Sequence, residues 1–412
     1  MRILSVTQSY APFYEFGGPP VKVEALANGL AKRGHNVTVL TADLGFEERR
    51  GAAGGAANDK RSPFGWTREV NGVQSVYIPT WLRYRAASWN PAVWRYCRSR
   101  LIGFDVAHIF GLYEMMGPAV ARECQKLEVP YVVEPIGMFV PIVRNLFLKR
   151  VYHSVWGKRM LDGAAKVIAT AEQEVEELVA GGIAREKIVL RRNGVAVPRE
   201  IPSGGEFRKK YGIALNALLV LFLGRLSEKK SPEMLLEAIA QLPSEIDGRA
   251  VWLTFAGPDE AGMRARLEHL AAARGMQARV VFTGTIIGDE KWAAYATADV
   301  FVLPSQNENF GNTAAEAAAC GTAVVVTENC GVAPLLGGVA GIVVSHETRA
   351  IASAVKQILS DGEQRLKFSE GGKQAAANLG WDQPVRAMEQ LYTELAALRP
   401  ADRQSRVRIE GC

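Results

Sequence analysis

Short apolar runs alternate with amphipathic helical stretches along nearly the whole 412-residue chain. Nothing else in the sequence constrains the fold as tightly. Arg2–Thr7, 37–41, Val73–Ile78, Val106–Phe110, 131–133 and Lys166–Ala169 read as buried strands. Between the first two, Val23, Leu26, Ala27, Leu30 and Ala31 fall on one helical face, and Gly34 ends that helix. Continuous apolar strands separated by helices imply parallel sheets covered on both faces. The turn signal Asn193-Gly194 opens a second series. It has strands at Leu218–Leu223, 251–256, 280–283, Val300–Leu303, Ala323–Thr327 and Gly341–Val344, and helices at 232–242, 262–274, 289–296 and 313–320. The last helices expected are 350–361 and 384–397. Residues 46–65, rich in Gly, Ala and charge, read as a loop. The chain is thus read as α/β, with two doubly wound halves joined near residues 193–210. Such sheets bind ligands outside the carboxyl ends of their strands, and two facing halves would form a cleft.

Several function classes drop out. No GxGxxG follows a strand, and no GxxxxGK[ST], HExxH or DxD occurs, so neither a dinucleotide fingerprint, a P-loop nor a metal site is indicated. The five cysteines are scattered without a CxxC pair, which suits reduced thiols. No apolar run reaches the roughly 18–20 residues of a membrane span. The first residues do not resemble a signal peptide, and a cytosolic protein is expected.

The net charge of +6 is uneven: residues 1–170 hold 22 basic and 13 acidic side chains. Two stretches, 70–104 and 135–161, contain no acid at all. They interleave Arg83, Arg95, Arg98, Lys149, Arg150 and Lys158 with Trp81, Trp89, Trp94, Phe147, Tyr152 and Trp156. That composition suits an anionic membrane surface or a phosphate-bearing acceptor. A solvated basic face with its aromatics in the core explains it equally.

Three constellations can carry chemistry. After the strand ending at Leu303, Glu308 lies in a loop, Gly311 permits close backbone approach to a phosphate, and a helix starts near Asn312. The exposed N–H groups of that start suit an anion. Glu316, read in the first turn, could accept from two ribose hydroxyls; it could equally close a capping box onto Thr313. Glu308 could hold sugar hydroxyls or be a surface carboxylate. Second, Arg225 and Lys230 follow a buried strand and could face one point, as a diphosphate would require, or belong to a solvated loop. Third, Gly17 and Gly18 precede the first helix, as a ligand-approach site or a plain turn.

Taken in order and spacing, these segments resemble the GT-B retaining glycosyltransferases of family 4. The residues carrying the likeness are Glu308-x7-Glu316 within NENFGNTAAEAAACGTAVV, GRLSEKK at 224–230, FAGPDE at 255–260, VVFTG at 280–284 and the run from Gly17 to Thr41. The likeness runs from residue 2 to about residue 345. It implies two Rossmann-like domains facing a cleft: an acceptor domain over 1–195 and a nucleotide-sugar domain over 196–383. A helix at 384–398 is expected to pack back on the first domain, ahead of a loose tail at 399–412. By resemblance, Arg225 and Lys230 hold the diphosphate; Phe310, Gly311, Asn312 and Thr313 contact it; Glu316 takes the ribose and Glu308 the donor sugar. Gly257, Pro258 and Thr283 lie near the base, and Gly17 and Gly18 close over the phosphate. Domain closure would exclude water, and similar enzymes retain anomeric configuration.

One departure concerns the histidine that many members carry after the strand at 131–133. Here the segment reads Glu134-Pro-Ile-Gly-Met138. His108, read in a loop near the cleft, could substitute, and Glu134 and Met138 are further candidates for acceptor or donor contact. The expected activity is transfer of a sugar from a nucleotide diphosphate-sugar to a lipid-linked surface-glycan acceptor, without metal or other cofactor. A peripheral contact with an anionic membrane is expected, and no nucleic acid partner. A nucleotide-sugar epimerase, a phosphorylase and an inactive glycan-binding homologue are the alternatives on the same architecture.

Overall fold

The computed structural model describes residues 1–49, 59–84, 87–140 and 146–398. The chain divides into two compact units, Met1–Arg192 with Trp381–Cys412, and Asn193–Gly380.

The strands of the first unit are β1 (Arg2–Thr7), β2 (Asn36–Ala42), β3 (Asp59–Ser62), β4 (Gly65–Val70), β5 (Val73–Ile78), β6 (Leu82–Tyr84), β7 (Ala87–Trp89), β8 (Val106–Phe110), β9 (Tyr131–Glu134), β10 (Lys166–Ala169) and β11 (Ile188–Leu190). Nine of them form one sheet in the order β11-β10-β9-β8-β1-β2-β5-β4-β3, and β6 pairs with β7 alone. Strands from β11 to β5 run parallel, and chain order reverses between β1 and β8.

The far edge departs from the parallel sheet expected. Residues 46–65 are not one loop: Phe46–Arg49 is a helical turn, and β3 and β4 form an antiparallel hairpin. Its aromatic content explains this. Phe46 stacks on Tyr77 with centroids 3.7 Å apart and lies 6.4 Å from Trp66. Arg68 covers the Phe46 ring and pairs with Asp59. Residues 50–58 of that stretch lie outside the described residues.

The helix Asp382–Ala397 belongs to this unit. Its residues Val385, Met388, Leu391, Tyr392 and Leu395 form one apolar stripe in the core with Ile3, Val39 and Val106. Gly29 lets it approach the helix Gly18–Lys32, because a Cβ there would lie 2.4 Å from Val385 Cγ2. The expected tail, 399–412, lies outside the described residues.

The second unit contains β12 (Leu218–Leu223), β13 (Glu245–Ile246), β14 (Arg249–Ala256), β15 (Val280–Gly284), β16 (Val300–Leu303), β17 (Ala323–Thr327) and β18 (Gly341–Val344). Its parallel strands lie in the order β15-β14-β12-β16-β17-β18, with β13 antiparallel on the start of β14. Every residue of β12 is buried, as a central strand covered by helices on both faces requires. Besides the short pieces Gly204–Lys210, Glu245–Ile246 and Ala333–Leu336, the sequence reading missed the long helix Gly362–Ala377. Its glycines are the reason. Adjacent glycines weaken a helical pattern locally, but Gly371 and Gly372 are packing contacts: a Cβ on Gly372 would lie 2.6 Å from the Ala318 carbonyl oxygen, and one on Gly371 would lie 2.2 Å from that of Val339.

Candidate functional site

In the second unit chain order reverses between β12 and β16. Open α/β sheets bind ligands outside the carboxyl ends of their strands at such a reversal. The two loops leaving these strands are 224–230 and 304–311, the second and first constellations of the sequence.

Main-chain hydrogen bonds knit this rim. Leu226 N–H donates to the Pro258 carbonyl at 2.9 Å, and Glu260 N–H donates back to Leu226 at 3.1 Å. Gly257 N–H donates to Gly284 at 2.8 Å, Gln306 N–H to Lys229 at 3.0 Å, and Glu308 N–H to Asn329 at 2.9 Å. Five strand ends are therefore bound side by side. Gly257 permits the tightest approach: its φ is +140°, and a Cβ there would sit 2.0 Å from the Gly224 carbonyl oxygen. Pro258 and Thr283 occupy the adjoining strand ends, and the Thr283 hydroxyl donates to the Gly284 carbonyl.

Within this rim the Lys230 ammonium donates to the Glu308 carboxylate, each side chain about one-fifth exposed. Arg225 is exposed, with a guanidinium nitrogen 3.7 Å from Glu260. The helix Asn312–Ala319 starts beside them, its N-cap Gly311 at φ +97°. No side chain caps it, so the N–H groups of its first turn face the rim as donors for an anion. Phe310 is buried in the core, leaving only its backbone to face the site. The Asn312 side chain accepts from Asn193 Nδ2 at 3.3 Å. Thr313 stands in the helix's first turn.

Glu316 differs from its reading. It lies in the second helical turn, and it forms no capping box with Thr313. Its two carboxylate oxygens accept from Lys291 Nζ and from the Tyr295 hydroxyl, each at 2.9 Å. Burial, then the Glu316 charge, holds the Tyr295 phenol well above its ordinary range. It is therefore a neutral donor. Sequence reasoning missed both partners, although residues 291 and 295 share a helical face by their spacing.

The first-unit candidates require two corrections. His108 is not in a loop. It is the middle residue of β8 and fully buried. Its Nδ1 lies 2.6 Å from the Tyr392 hydroxyl, and its ring stacks on Phe110. Burial lowers its pKa, so the imidazole is neutral. Glu134 is not presented to a ligand either. It is fully buried at the end of β9 and accepts from Lys22 at 2.5 Å and from Arg191. Burial alone would raise its carboxyl, but Arg191, Lys22 and His108 hold it well below the usual carboxylate range. Lys22 had a legible signal: it shares the buried face of its helix with Leu26 and Leu30, four and eight residues on. Met138 packs against the first-unit core beside Gly111. Gly17 and Gly18 cap and open the helix that carries Lys22.

The acid-free stretches are mixed in outcome. Tyr96 and Tyr152 are core residues, but Trp81 and Phe147 are each 76% exposed. Among the described residues no helix is long and apolar enough to cross a membrane, and no group of three His, Cys, Asp or Glu side chains is placed to hold a metal.

Comparison with known proteins agrees with this architecture. Residues 204–375 match the family model "Glycosyl transferases group 1", and residues 17–194 match "Glycosyl transferase 4-like domain". A D-inositol 3-phosphate glycosyltransferase of Corynebacterium urealyticum is 27% identical over 98% of both chains. One from Xylanimonas cellulosilytica is 32% identical over 57% of this chain, a match spanning 58% of that protein's own length. Among solved structures, sucrose-phosphate synthase from Thermosynechococcus elongatus superposes with a TM-score of 0.75 at 21% identity, over 97% of this chain and 100% of that one. Anabaena HepE in complex with UDP and glucose gives 0.72 at 19%, over 97% and 100%. Two Rossmann-like units of this kind define the GT-B fold. The chain belongs to the group 1 glycosyl transferases, a family of transferase enzymes.

Proposed function

We propose that this chain moves a sugar from a nucleotide diphosphate-sugar to a phosphate-bearing acceptor, retaining anomeric configuration and without a metal. The observation that carries the reading is the gathering of Arg225, Lys230, Glu308 and the uncapped helix start at Gly311 around the strand-order reversal. Cleaving the donor's glycosidic C–O bond places negative charge on the departing diphosphate. Two cations and a helix N-terminus fixed in advance stabilise that charge more in the transition state than in the ground state. In this reading Lys230 passes from Glu308 to the diphosphate, which leaves Glu308 to accept from sugar hydroxyls. Glu316 takes the ribose. Phe310, Gly311, Asn312 and Thr313 offer main-chain contacts, and Gly257, Pro258 and Thr283 flank the base. Solved relatives crystallised with UDP and with UDP-glucose support a donor of this class.

The basic surplus of residues 1–170 supports a phosphate-bearing acceptor. The relatives, D-inositol 3-phosphate glycosyltransferases, favour an inositol phosphate over the lipid-linked glycan expected from sequence. A lipid-linked acceptor is favoured by one observation. Phe147, Leu148, Val151, Val155 and Trp156 are exposed along one helical segment that also carries Lys149, Arg150 and Lys158, a composition suited to an anionic membrane face.

Thermal stabilisation by UDP, GDP and ADP tests the donor site, since ligand binding to the native state raises Tm. One nucleotide should raise Tm selectively, and Glu316→Ala should abolish the rise. No rise with any nucleotide would overturn the reading. Transfer assays with D-inositol 3-phosphate, against a lipid-diphosphate acceptor in anionic vesicles, separate the two acceptors. Activity unchanged by EDTA is expected.

A further inference from the structure

We propose that Lys291 and Tyr295 are positioning residues that set Glu316 as a two-pronged acceptor for a vicinal diol, and so make the site select ribose over 2′-deoxyribose. This rests on the donor reading above and adds the residues that confer its sugar selectivity.

An ionised carboxylate offers about four acceptor sites, two on each oxygen. One oxygen of Glu316 accepts from Lys291 Nζ and the other from the Tyr295 hydroxyl, each at 2.9 Å. One site on each oxygen remains. Two neighbouring acceptors on one rigid carboxylate match two hydroxyls on adjacent carbons, as on a ribose. The carboxylate cannot rotate to serve a single hydroxyl without breaking a bond to Lys291 or Tyr295.

The supports are themselves fixed. Tyr295 is fully buried, edge-on to Phe301 at 5.7 Å and to Trp292 at 5.9 Å. Its carbonyl accepts from the Thr322 hydroxyl at 2.6 Å. Lys291 and Tyr295 lie one turn apart on the helix Gly288–Thr297. Its ammonium also lies 4.5 Å from the Trp292 ring centroid, so the cation is held from two sides. Glu316 stands on an alanine-rich helix whose Ala314, Ala315, Ala317 and Ala318 are buried. Both ends of the arrangement are therefore on rigid elements, as a selective contact requires. A site built to bond a hydroxyl discriminates strongly against a ligand that lacks it.

The test measures dissociation constants for UDP, GDP, ADP and their 2′-deoxy counterparts by calorimetry on the full chain. The wild type should bind its preferred ribonucleotide at least tenfold more tightly than the deoxy form. In Tyr295→Phe and Lys291→Met that ratio should fall towards one, mainly through weaker ribonucleotide binding. Lys291→Arg should restore part of it. A wild-type ratio kept in both variants, or equal losses for both nucleotides, would overturn the positioning role. Equal wild-type affinity for ribo and deoxy forms would overturn it while leaving the donor site standing. No nucleotide binding at all would remove both. Lys291 is partly exposed, so its variants report even where Tyr295→Phe melts early.

Discussion

Glu134 is the residue on which the first unit's polar interior turns. A carboxylate with no solvent exposure survives only when its charge is answered, and Lys22 and Arg191 answer it from a helix and a strand end, with the neutral His108 ring beside it on the neighbouring strand. Removing it strands two buried cations. Glu134→Gln should therefore cost about 3 kcal/mol or more, read by urea denaturation at pH 7. The pH dependence has a definite sign. The folded carboxyl is held below its ordinary 4.5, so its contribution is fully present above about pH 4.5 and is lost as pH falls through the depressed value. Stability of the wild type should drop steeply on that acid side, and that of Glu134→Gln should be flatter there. An acid limb of equal slope in both would show that the charge is not stabilising. The position was read from sequence as a candidate ligand contact because it opens the segment after the strand where many members of the resembled family carry a histidine. The residues that internalise it, Arg191 above all, lie too far along the chain for spacing to connect them.

At the scale of elements, the second unit shows why one glycine matters more than its neighbours. Gly257 joins β14 to the rim at φ +140°, with its would-be Cβ 2.0 Å from the Gly224 carbonyl oxygen. Gly257→Ala must push the loops after β12 and β14 apart. It should destabilise the unit by about 2 kcal/mol and weaken nucleotide binding. Gly362→Ala should stay within about 1 kcal/mol of wild type, because an added Cβ there would meet only the flexible Arg365 end at 3.7 Å. Parallel thermal melts with and without UDP, GDP and ADP check both. β1, β5, β8, β10, β12, β16, β17 and β18 were legible to the residue, because an uninterrupted apolar run between helices has one favourable placement. The loops bearing Arg225, Lys230, Glu308 and Gly311 were legible because strand ends locate them. The helix Gly362–Ala377 was not, since a glycine chosen for close packing looks locally like a breaker. Nor were the partners of Glu316: Lys291 and Tyr295 share a face by spacing, but the carboxylate they meet is 25 and 21 residues away.

At the scale of the whole molecule, the chain leaves its first unit at Arg192, builds the second, and returns at Trp381. The return is not decorative. Val385, Met388, Leu391, Tyr392 and Leu395 are all buried against the first-unit sheet, and Tyr392 meets the interior His108. Side chains of this size contribute about 1.5–3 kcal/mol each when fully buried, so the five together approach the roughly 5–15 kcal/mol net stability of a domain. Truncation after Trp381 should therefore unfold the first unit or lower its transition by tens of degrees. The second unit takes none of its core from that helix, so its transition should remain and should still rise with the nucleotide that stabilises the intact chain. Calorimetric scans of both proteins, each with UDP, GDP and ADP, decide the matter. A surviving nucleotide-sensitive transition means the donor-side rim is complete within Asn193–Gly380. Loss of every transition would mean that the second unit depends on the first for its fold, and the donor site would then have to be treated as a property of the intact chain.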